Sequence, residues 1–267
     1  MLKDITLGQY FPIESFLHKL DPRTKILIFI LDIVIIFMAQ TAVSYAVLIG
    51  FTFLLMLISR VPVKMYIKGL KPILYIIIFT AILNLFLTDG RDLPVFGYSI
   101  GITVEGAIVA VKMAVRLVLL IIASSALTYT TSPMALTDGI EKLLKPLSRI
   151  GFPSHELAMM MSIAIKFVPT LIEETDKIIK AQKARGASFD TGSIFKRAKA
   201  LIPMLVPLFI SAFRRADDLA IAMESRCYTG GDGRTRLREI KFTRTDLIGA
   251  LAFLVIFAGV IAIDIVF

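Results

Sequence analysis

The sequence predicts an all-α integral membrane protein, with about five transmembrane helices and a cytoplasmic module of long, kinked, amphipathic helices. Apolar residues make up 57% of the 267 positions, and the mean hydropathy is +0.80. Soluble proteins have an apolar share of only about 45–50%. Five apolar stretches have lengths near the ~20 residues that a helix needs to cross a bilayer. We therefore expect a multi-pass membrane protein.

The five predicted spans cover residues 26–42, 45–59, 72–87, 104–129 and 247–267. Asp21 and Pro22, which precede the first span, predict a helix N-cap followed by the first helical residue. Four lysines and arginines lie in residues 1–25, four in the loop after the second span, and about nineteen of thirty in residues 130–245. Cations accumulate in cytoplasmic loops. This placement predicts a cytoplasmic N-terminus and an external C-terminus.

The chain divides into residues 1–129 with four spans, a cytoplasmic module at 130–245, and the last span at 246–267. In the module we expect a short helix to about 144, a long helix capped by Ser154 and running to about 183, and a second long helix over 194–226. Prolines at 169, 203 and 207 predict kinks. An alternative is that 157–172 and 201–213 cross the membrane as a pair; their shortness and prolines favour helices at the membrane surface.

Enzyme chemistry is not expected in this chain. The sequence has no P-loop motif and no His-Glu-x-x-His motif, and its two histidines have no triad context. A single cysteine excludes an internal disulfide framework. We therefore expect no catalytic residue, no metal site and no cofactor. The net charge of +9 lies in loops beside apolar spans, so it predicts contact with a lipid bilayer rather than nucleic acid.

Each long helix of the module ends on an arginine between small residues. The two triplets are Ala184-Arg185-Gly186 and Ser225-Arg226-Cys227. Small neighbours let a partner's backbone approach while the guanidinium reaches an acidic group. One such arginine is most simply a solvated helix C-terminus, where a cation is favourable by about 0.3–1 kcal/mol. Two in matched settings favour a docking role. Cys227 in place of glycine predicts that the backbone there is not left-handed.

These residues resemble the transmembrane T component (EcfT) of energy-coupling factor transporters, the vitamin-uptake branch of the ABC transporters. T components carry an Ala-Arg-Gly signature at the ends of two coupling helices. The triplet at 184–186 matches it fully, while Ser225 and Cys227 depart from it in the second triplet. The segment 15–25, Ser-Phe-Leu-His-Lys-Leu-Asp-Pro-Arg-Thr-Lys, also resembles the start of the family. The similarity extends over essentially the whole chain.

The resemblance implies a non-catalytic coupling subunit in the cytoplasmic membrane of a prokaryotic cell. In such a complex two cytoplasmic ATPases, EcfA and EcfA′, hold the ATP and Mg²⁺, and each docks on one arginine triplet. A separate membrane S component binds the vitamin. An alternative within the family is a dedicated T component for cobalt, nickel or biotin uptake. A different class, a self-contained channel or secondary carrier, also remains open at this point.

Two further sets of residues have predicted roles. A re-packable apolar surface for exchangeable S components is predicted at Met159, Met160, Met161, Met204 and Phe209; a core position is an equally simple interpretation for any one of them. Asp32 and Arg116 lie inside predicted spans, where a charge is costly unless it is paired. We therefore predict that they form a structural ion pair.

Overall fold

The computed structural model describes residues 10–95, 98–187, 194–230 and 242–266. Its elements are α1 (Phe16–Lys19), α2 (Pro22–Met38), α3 (Ala42–Ser59), α4 (Val63–Leu87), β1 (Asp92–Val95), β2 (Tyr98–Thr103), α5 (Val104–Thr130), α6 (Pro133–Leu144), α7 (Ser154–Ala184), α8 (Ile194–Glu224) and α9 (Arg244–Val266). The all-helical class is confirmed, with one addition. The strands β1 and β2 pair as an antiparallel hairpin, which we did not predict between the third and fourth spans.

Five helices within the described residues are long and apolar enough to cross a membrane: α3, α4, α5, α7 and α9. The predicted number is confirmed, but the set differs. Helix α2 has 17 residues, slightly fewer than the ~20 that span a bilayer core. Helix α7 has 31 residues and continues through Pro169. The shortness that we held against a crossing at 157–172 is therefore absent from the structure.

The described residues form two compact units. The terminal unit comprises residues 10–140 and 242–266, and the central unit comprises residues 141–187 and 194–230. In the terminal unit a buried apolar cluster joins α2, α3, α5 and α9; its fully buried members include Ile36, Leu48 and Val260. Within a bilayer such helices associate mainly through close van der Waals packing. The cluster therefore fixes these four helices against one another.

Helix α9 is held at both ends by an aspartate. Near its start, Asp246 Oδ1 accepts a 2.6 Å hydrogen bond from the backbone N–H of Asp21. Near its end, Asp264 Oδ1 accepts from the N–H of Thr41 at 3.1 Å and from the hydroxyl of Ser44 at 2.7 Å. The predicted cap at Asp21 is confirmed, since its Oδ1 accepts from the N–H of Arg23 at 2.8 Å. Polar contacts thus join the last helix to the first two long helices.

The predicted ion pair between Asp32 and Arg116 is wrong. The Arg116 guanidinium donates to the Tyr45 hydroxyl at 2.9 Å and to the Ala39 carbonyl at 3.4 Å. Asp32 is 3% exposed, and its Oδ1 has no hydrogen-bond partner among the described residues. Ala39 lies seven residues after Asp32 in the chain, which is about 10 Å along a helix. The two charges therefore lie at different depths.

In the central unit, a short 3₁₀ turn at Lys145–Ile150 connects α6 to α7. His155 Nδ1 lies 3.1 Å from Glu141 Oε1 across this turn. The predicted cap of α7 was one residue off: Ser154 is the first helical residue, and Pro153 occupies the cap position without a side-chain hydrogen bond. The N–H of Ser154 instead donates to the carbonyl of Phe152 at 2.8 Å. Local backbone pairing therefore replaces the side-chain cap.

Candidate functional site

Helices α7 and α8 pack against each other in opposite directions. Glu174 Oε2 accepts from Arg215 Nη2 at 3.2 Å, and Gln182 Nε2 donates to the carbonyl of Pro203 at 3.3 Å. Residue numbers therefore rise along α7 as they fall along α8. Pro207 has no N–H to donate to the carbonyl of Pro203, four residues before it. Gln182 supplies the missing donor, so the interruption in α8 becomes part of its contact with α7.

The first triplet forms the C-terminal cap of α7. Gly186 has a left-handed backbone, with φ of +86°. Its N–H donates to the carbonyl of Lys183 at 3.0 Å, and the N–H of Ala187 donates to the carbonyl of Gln182 at 3.0 Å. These two bonds define a Schellman motif, which satisfies carbonyls that a helix end leaves without intrahelical donors. Arg185 is the cap residue of this motif.

The second triplet ends α8 in the same way. The N–H of Cys227 donates to the carbonyl of Glu224 at 2.8 Å, and the N–H of Tyr228 donates to the carbonyl of Met223 at 3.1 Å. Residue by residue, these bonds correspond to those of the first cap. Arg226 therefore occupies the position of Arg185, and the duplication seen in the sequence extends to the backbone.

Our expectation for Cys227 is wrong. Its φ is +54°, so it adopts the left-handed conformation that the first cap gives to a glycine. For a residue with a Cβ this conformation costs roughly 1–2 kcal/mol. The two hydrogen bonds of the cap hold the backbone there nonetheless. The second cap thus keeps the geometry of the first with a less suitable residue.

Both arginines are exposed, and neither forms an ion pair with a described residue. Arg185 lies three residues beyond Gln182, and Arg226 lies eleven residues beyond Arg215. These separations are about 5 Å and 16 Å along the helices. Because the helices run in opposite directions, the two arginines extend from opposite sides of the α7–α8 contact. The arrangement presents two separate cationic tips.

The surroundings of the two tips carry opposite charge. The last two turns of α7 present exposed lysines at 177, 180 and 183. The corresponding part of α8 presents exposed acids at Asp217, Asp218 and Glu224. The two tips therefore share one backbone geometry but differ in the sign of the charge around them. Each tip offers a distinct surface to whatever binds it.

The predicted apolar surface is partly exposed. Met160, Met161 and Phe209 are 55%, 44% and 61% exposed, whereas Met159 and Met204 are half-buried. The prediction omitted other exposed apolar residues on α8, among them Ile202, Val206, Ile210 and Phe213. Together with Phe209 they follow the i, i+4, i+7 spacing of one helix face. That spacing is visible in the sequence and identifies the whole face.

A metal centre has no support in the part of the chain that the structure describes. No group of three or more His, Cys, Asp or Glu side chains is placed to hold an ion there. The chemistry available at the two tips is therefore that of exposed guanidinium groups, which bind carboxylates through charge-assisted hydrogen bonds.

Comparison with known proteins places this arrangement in a family. Residues 14–237 match the family described as CbiQ, cobalt transport protein. A relative from Clostridium kluyveri is 56% identical over 96% of this chain and 95% of its own length. A relative from Ruminiclostridium cellulolyticum is 54% identical over the full length of both chains. One from Acidaminococcus fermentans is 51% identical over 96% of both.

All three relatives bear the name energy-coupling factor transporter transmembrane protein EcfT. The identity is high along nearly the whole chain, and the aligned region includes the helices that carry both arginine tips. The chain therefore belongs to the CbiQ family, as an EcfT transmembrane component of an energy-coupling factor transporter.

Proposed function

We propose that this chain is the non-catalytic coupling subunit of a vitamin importer. It links ATP hydrolysis by two cytoplasmic ATPases, EcfA and EcfA′, to movement of a membrane S component that binds the vitamin. The observation that carries this proposal is the repetition of one cap geometry, with an exposed arginine, at the ends of two packed helices. In this arrangement the N-terminus and both arginine tips lie in the cytoplasm, and the C-terminus lies outside.

Each ATPase binds one tip through a groove that contains an acidic group. The left-handed residue after each arginine turns the chain away from the helix axis. The guanidinium group therefore lies at the end of the helix. A carboxylate in the groove accepts two parallel hydrogen bonds from it. Loss of one charge from such a buried pair costs about 2–5 kcal/mol. ATP and Mg²⁺ belong to the ATPases, and this chain supplies no catalytic group.

Coupling follows from the contact between the two helices. The Glu174–Arg215 pair and the Gln182–Pro203 hydrogen bond join α7 to α8 between the tips. When ATP binding brings the ATPases together, the tips move with them and the angle between α7 and α8 changes. The S component packs on the apolar face of α8 that includes Phe209 and Phe213, and the exposed methionines of α7 provide further adaptable contacts. Movement of α8 then tilts the S component and releases the vitamin inward.

The test is recovery of the ATPases with the full chain from detergent extract. The variants are Arg185→Glu, Arg226→Glu and the double variant. Matched controls are Lys166→Glu on α7 and Arg214→Glu on α8, which are exposed cations away from the caps. Each tip variant should lose part of the ATPases, the double variant nearly all of them, and the controls little. Vitamin binding by the S component should survive in every variant.

A different result identifies the alternative class. If the double variant retains both ATPases, or no ATPase is recovered with the unmodified chain, the coupling role is wrong and a self-contained channel or secondary carrier gains support. Membrane insertion and gel-filtration behaviour of each variant establish that the chain is folded. Loss of ATPases without loss of folding is the outcome that the proposal requires.

Cobalt uptake is the second candidate, because the family that matches residues 14–237 is described as cobalt transport protein. In that case the chain would serve one dedicated substrate subunit, as it also would for nickel or biotin. Uptake of labelled vitamins and of labelled cobalt into cells that express the complete complex separates the two. Cobalt uptake that depends on Arg185 and Arg226, without vitamin uptake, would replace the vitamin assignment.

A further inference from the structure

A cluster of four cations lies where α3 meets α4. Arg60 follows α3, and lysines 64, 68 and 71 lie in the first turns of α4. All four side chains are exposed, and none forms an ion pair with a described residue. The sequence contains no acidic residue from position 33 to position 88. Among the described residues, no acidic side chain pairs with this cluster.

The turn that carries Arg60 has a left-handed backbone and is supported by buried polar contacts. Arg60 has a φ of +56°, a left-handed conformation that disfavours any residue with a Cβ. The adjacent Ser59 is buried; its hydroxyl lies 3.1 Å from the Tyr66 hydroxyl and accepts from the N–H of Val61 at 3.2 Å. Tyr129 packs edge-on against Tyr66 and donates to a backbone carbonyl of α4. Strain retained on such a support is a feature of ligand sites.

The three lysines share one face of α4. Their spacing of i, i+4 and i+7 places them in a narrow stripe. The same stripe continues along the helix as Tyr75, Ile78 and Ile82, which are 79%, 49% and 49% exposed. The side chains of this stripe are therefore not covered by the described helices, and the face is accessible to lipid. The lysines of the cationic cluster and the apolar stripe thus lie in line on one helix.

We propose that this cluster binds the headgroup of an anionic phospholipid, whose acyl chain lies along the apolar stripe. Arg60 and the lysines surround the phosphate with charge-assisted hydrogen bonds. Each cation near an anionic membrane surface adds to the attraction. The apolar stripe extends from the cluster toward the middle of the span, as an acyl chain does from its headgroup. The bound lipid therefore fits the charge and the shape of the site together.

The test uses the absence of tryptophan from the chain. A single reporter, Tyr75→Trp, is placed in the stripe of the full chain, and a control reporter, Phe86→Trp, lies at the other end of α4, 54% exposed. Each protein is reconstituted with phospholipids that carry brominated acyl chains, as phosphatidylglycerol or as phosphatidylcholine. Brominated chains quench only a tryptophan that they contact.

At position 75, phosphatidylglycerol should quench with an affinity about threefold higher than phosphatidylcholine or more. The K64Q/K68Q/K71Q variant and the Arg60→Asn variant should reduce this ratio toward one, and position 86 should show no preference in either background. Raising the salt concentration in the unmodified background should also reduce the ratio, because exposed charges are screened. The salt series tests the proposal even if the triple variant fails to fold.

Equal quenching by the two lipids at position 75 would overturn the proposal, as would a preference that survives both the lysine substitutions and salt. Inorganic phosphate at matched ionic strength provides a further arm. If phosphate removes the preference where chloride does not, it competes with the lipid headgroup for the same cations, which supports the proposal. A preference that appears only in the isolated chain, and not in the assembled complex, would show that another subunit occupies this face.

Discussion

The two compact units differ in which side chains they bury. The terminal unit buries charged side chains at Asp21, Lys25, Asp32 and Asp246, and Lys25 Nζ donates to the carbonyl of Thr130 at 2.9 Å. In the central unit, helix α7 buries only Ser154 and Ala158, and no described side chain of α8 is buried. One unit is stabilised by its own contacts. The other leaves most of its described side chains exposed.

This difference predicts which property a substitution in each unit should change. A buried polar contact in the terminal unit has no water to replace it, so its loss is a loss of folding stability. An exposed group on α7 or α8 is already solvated, so its substitution should change folding stability little, and under the proposed function it should weaken assembly instead. Charged residues in the two units should therefore respond differently to substitution.

The largest effect is expected for Asp246→Ala in the terminal unit. The substitution leaves the N–H of Asp21 without an acceptor and removes the hydrogen bonds from the backbone and hydroxyl of Thr243. We expect a loss of about 2–4 kcal/mol in the free energy of unfolding. Thermal unfolding in detergent, followed by circular dichroism, measures it. Asp218→Ala, an exposed acid on α8, is the control and should change stability by less than about 0.5 kcal/mol; equal losses would remove the contrast between the units.

A smaller and more local effect is expected for Gly186→Val. A β-branched residue is strained by about 1–3 kcal/mol in the left-handed conformation, so the last turn of α7 should open and Arg185 should lose its fixed position. Amide hydrogen exchange should increase over the last turn of α7, with little change in the terminal unit. Ala181→Val, which requires no left-handed backbone, is the control. Unchanged exchange in Gly186→Val would mean that the cap does not depend on this residue.

Cys227→Gly should act in the other direction. It removes the strain of a left-handed cysteine and should stabilise the last turn of α8 by up to about 1 kcal/mol, since part of the gain is offset by the greater freedom of glycine in the unfolded chain. Slower amide exchange at the end of α8 would show it. Cys227→Ala retains the Cβ and should leave the exchange unchanged. Identical behaviour of the two variants would indicate that the second cap is not strained.

The smallest effect is a pH dependence of the terminal unit. Burial lowers the pKa of His18 from 6.5, and the positive charge of Lys25 acts in the same direction, against a hydrogen bond to the carbonyl of Phe11. Below pH 6.5 the unfolded chain binds a proton that the folded chain does not, so stability falls as the pH falls from 6.5 through the lowered value. The melting temperature of the unmodified protein should decrease over this range more than that of His18→Gln. An equal decrease in both would assign the pH dependence to other groups.

Much of the fold could be predicted from the sequence because helix positions depend on patterns of neighbouring residues along the chain. Apolar run lengths predicted α3 and α4, and proline and aspartate predicted the start of α2. The Asp32–Arg116 pairing failed because a sequence does not specify relative depth and rotation of two helices. The partner of Arg116 is a tyrosine hydroxyl from a third helix, which no local pattern indicates.

The two arginine tips were identified from their small neighbours, but the cap geometry was only half predicted. At Gly186 the residue type and the backbone agree. At Cys227 the backbone adopts the geometry of glycine because the hydrogen bonds to Glu224 and Met223 hold it there. Local propensity was therefore overridden by the helix end itself. The i, i+4 spacing on α8 marks Phe213 as clearly as Phe209, so the whole apolar face was predictable.

The contact between Asp21 and Asp246 also has a consequence for biosynthesis. These residues are separated by 225 positions, so this hydrogen bond can form only after Asp246 has been synthesised. The whole central unit is therefore translated before the terminal unit can complete this contact. A product that ended before Asp246 would contain both arginine tips but would lack the contact between Asp21 and α9.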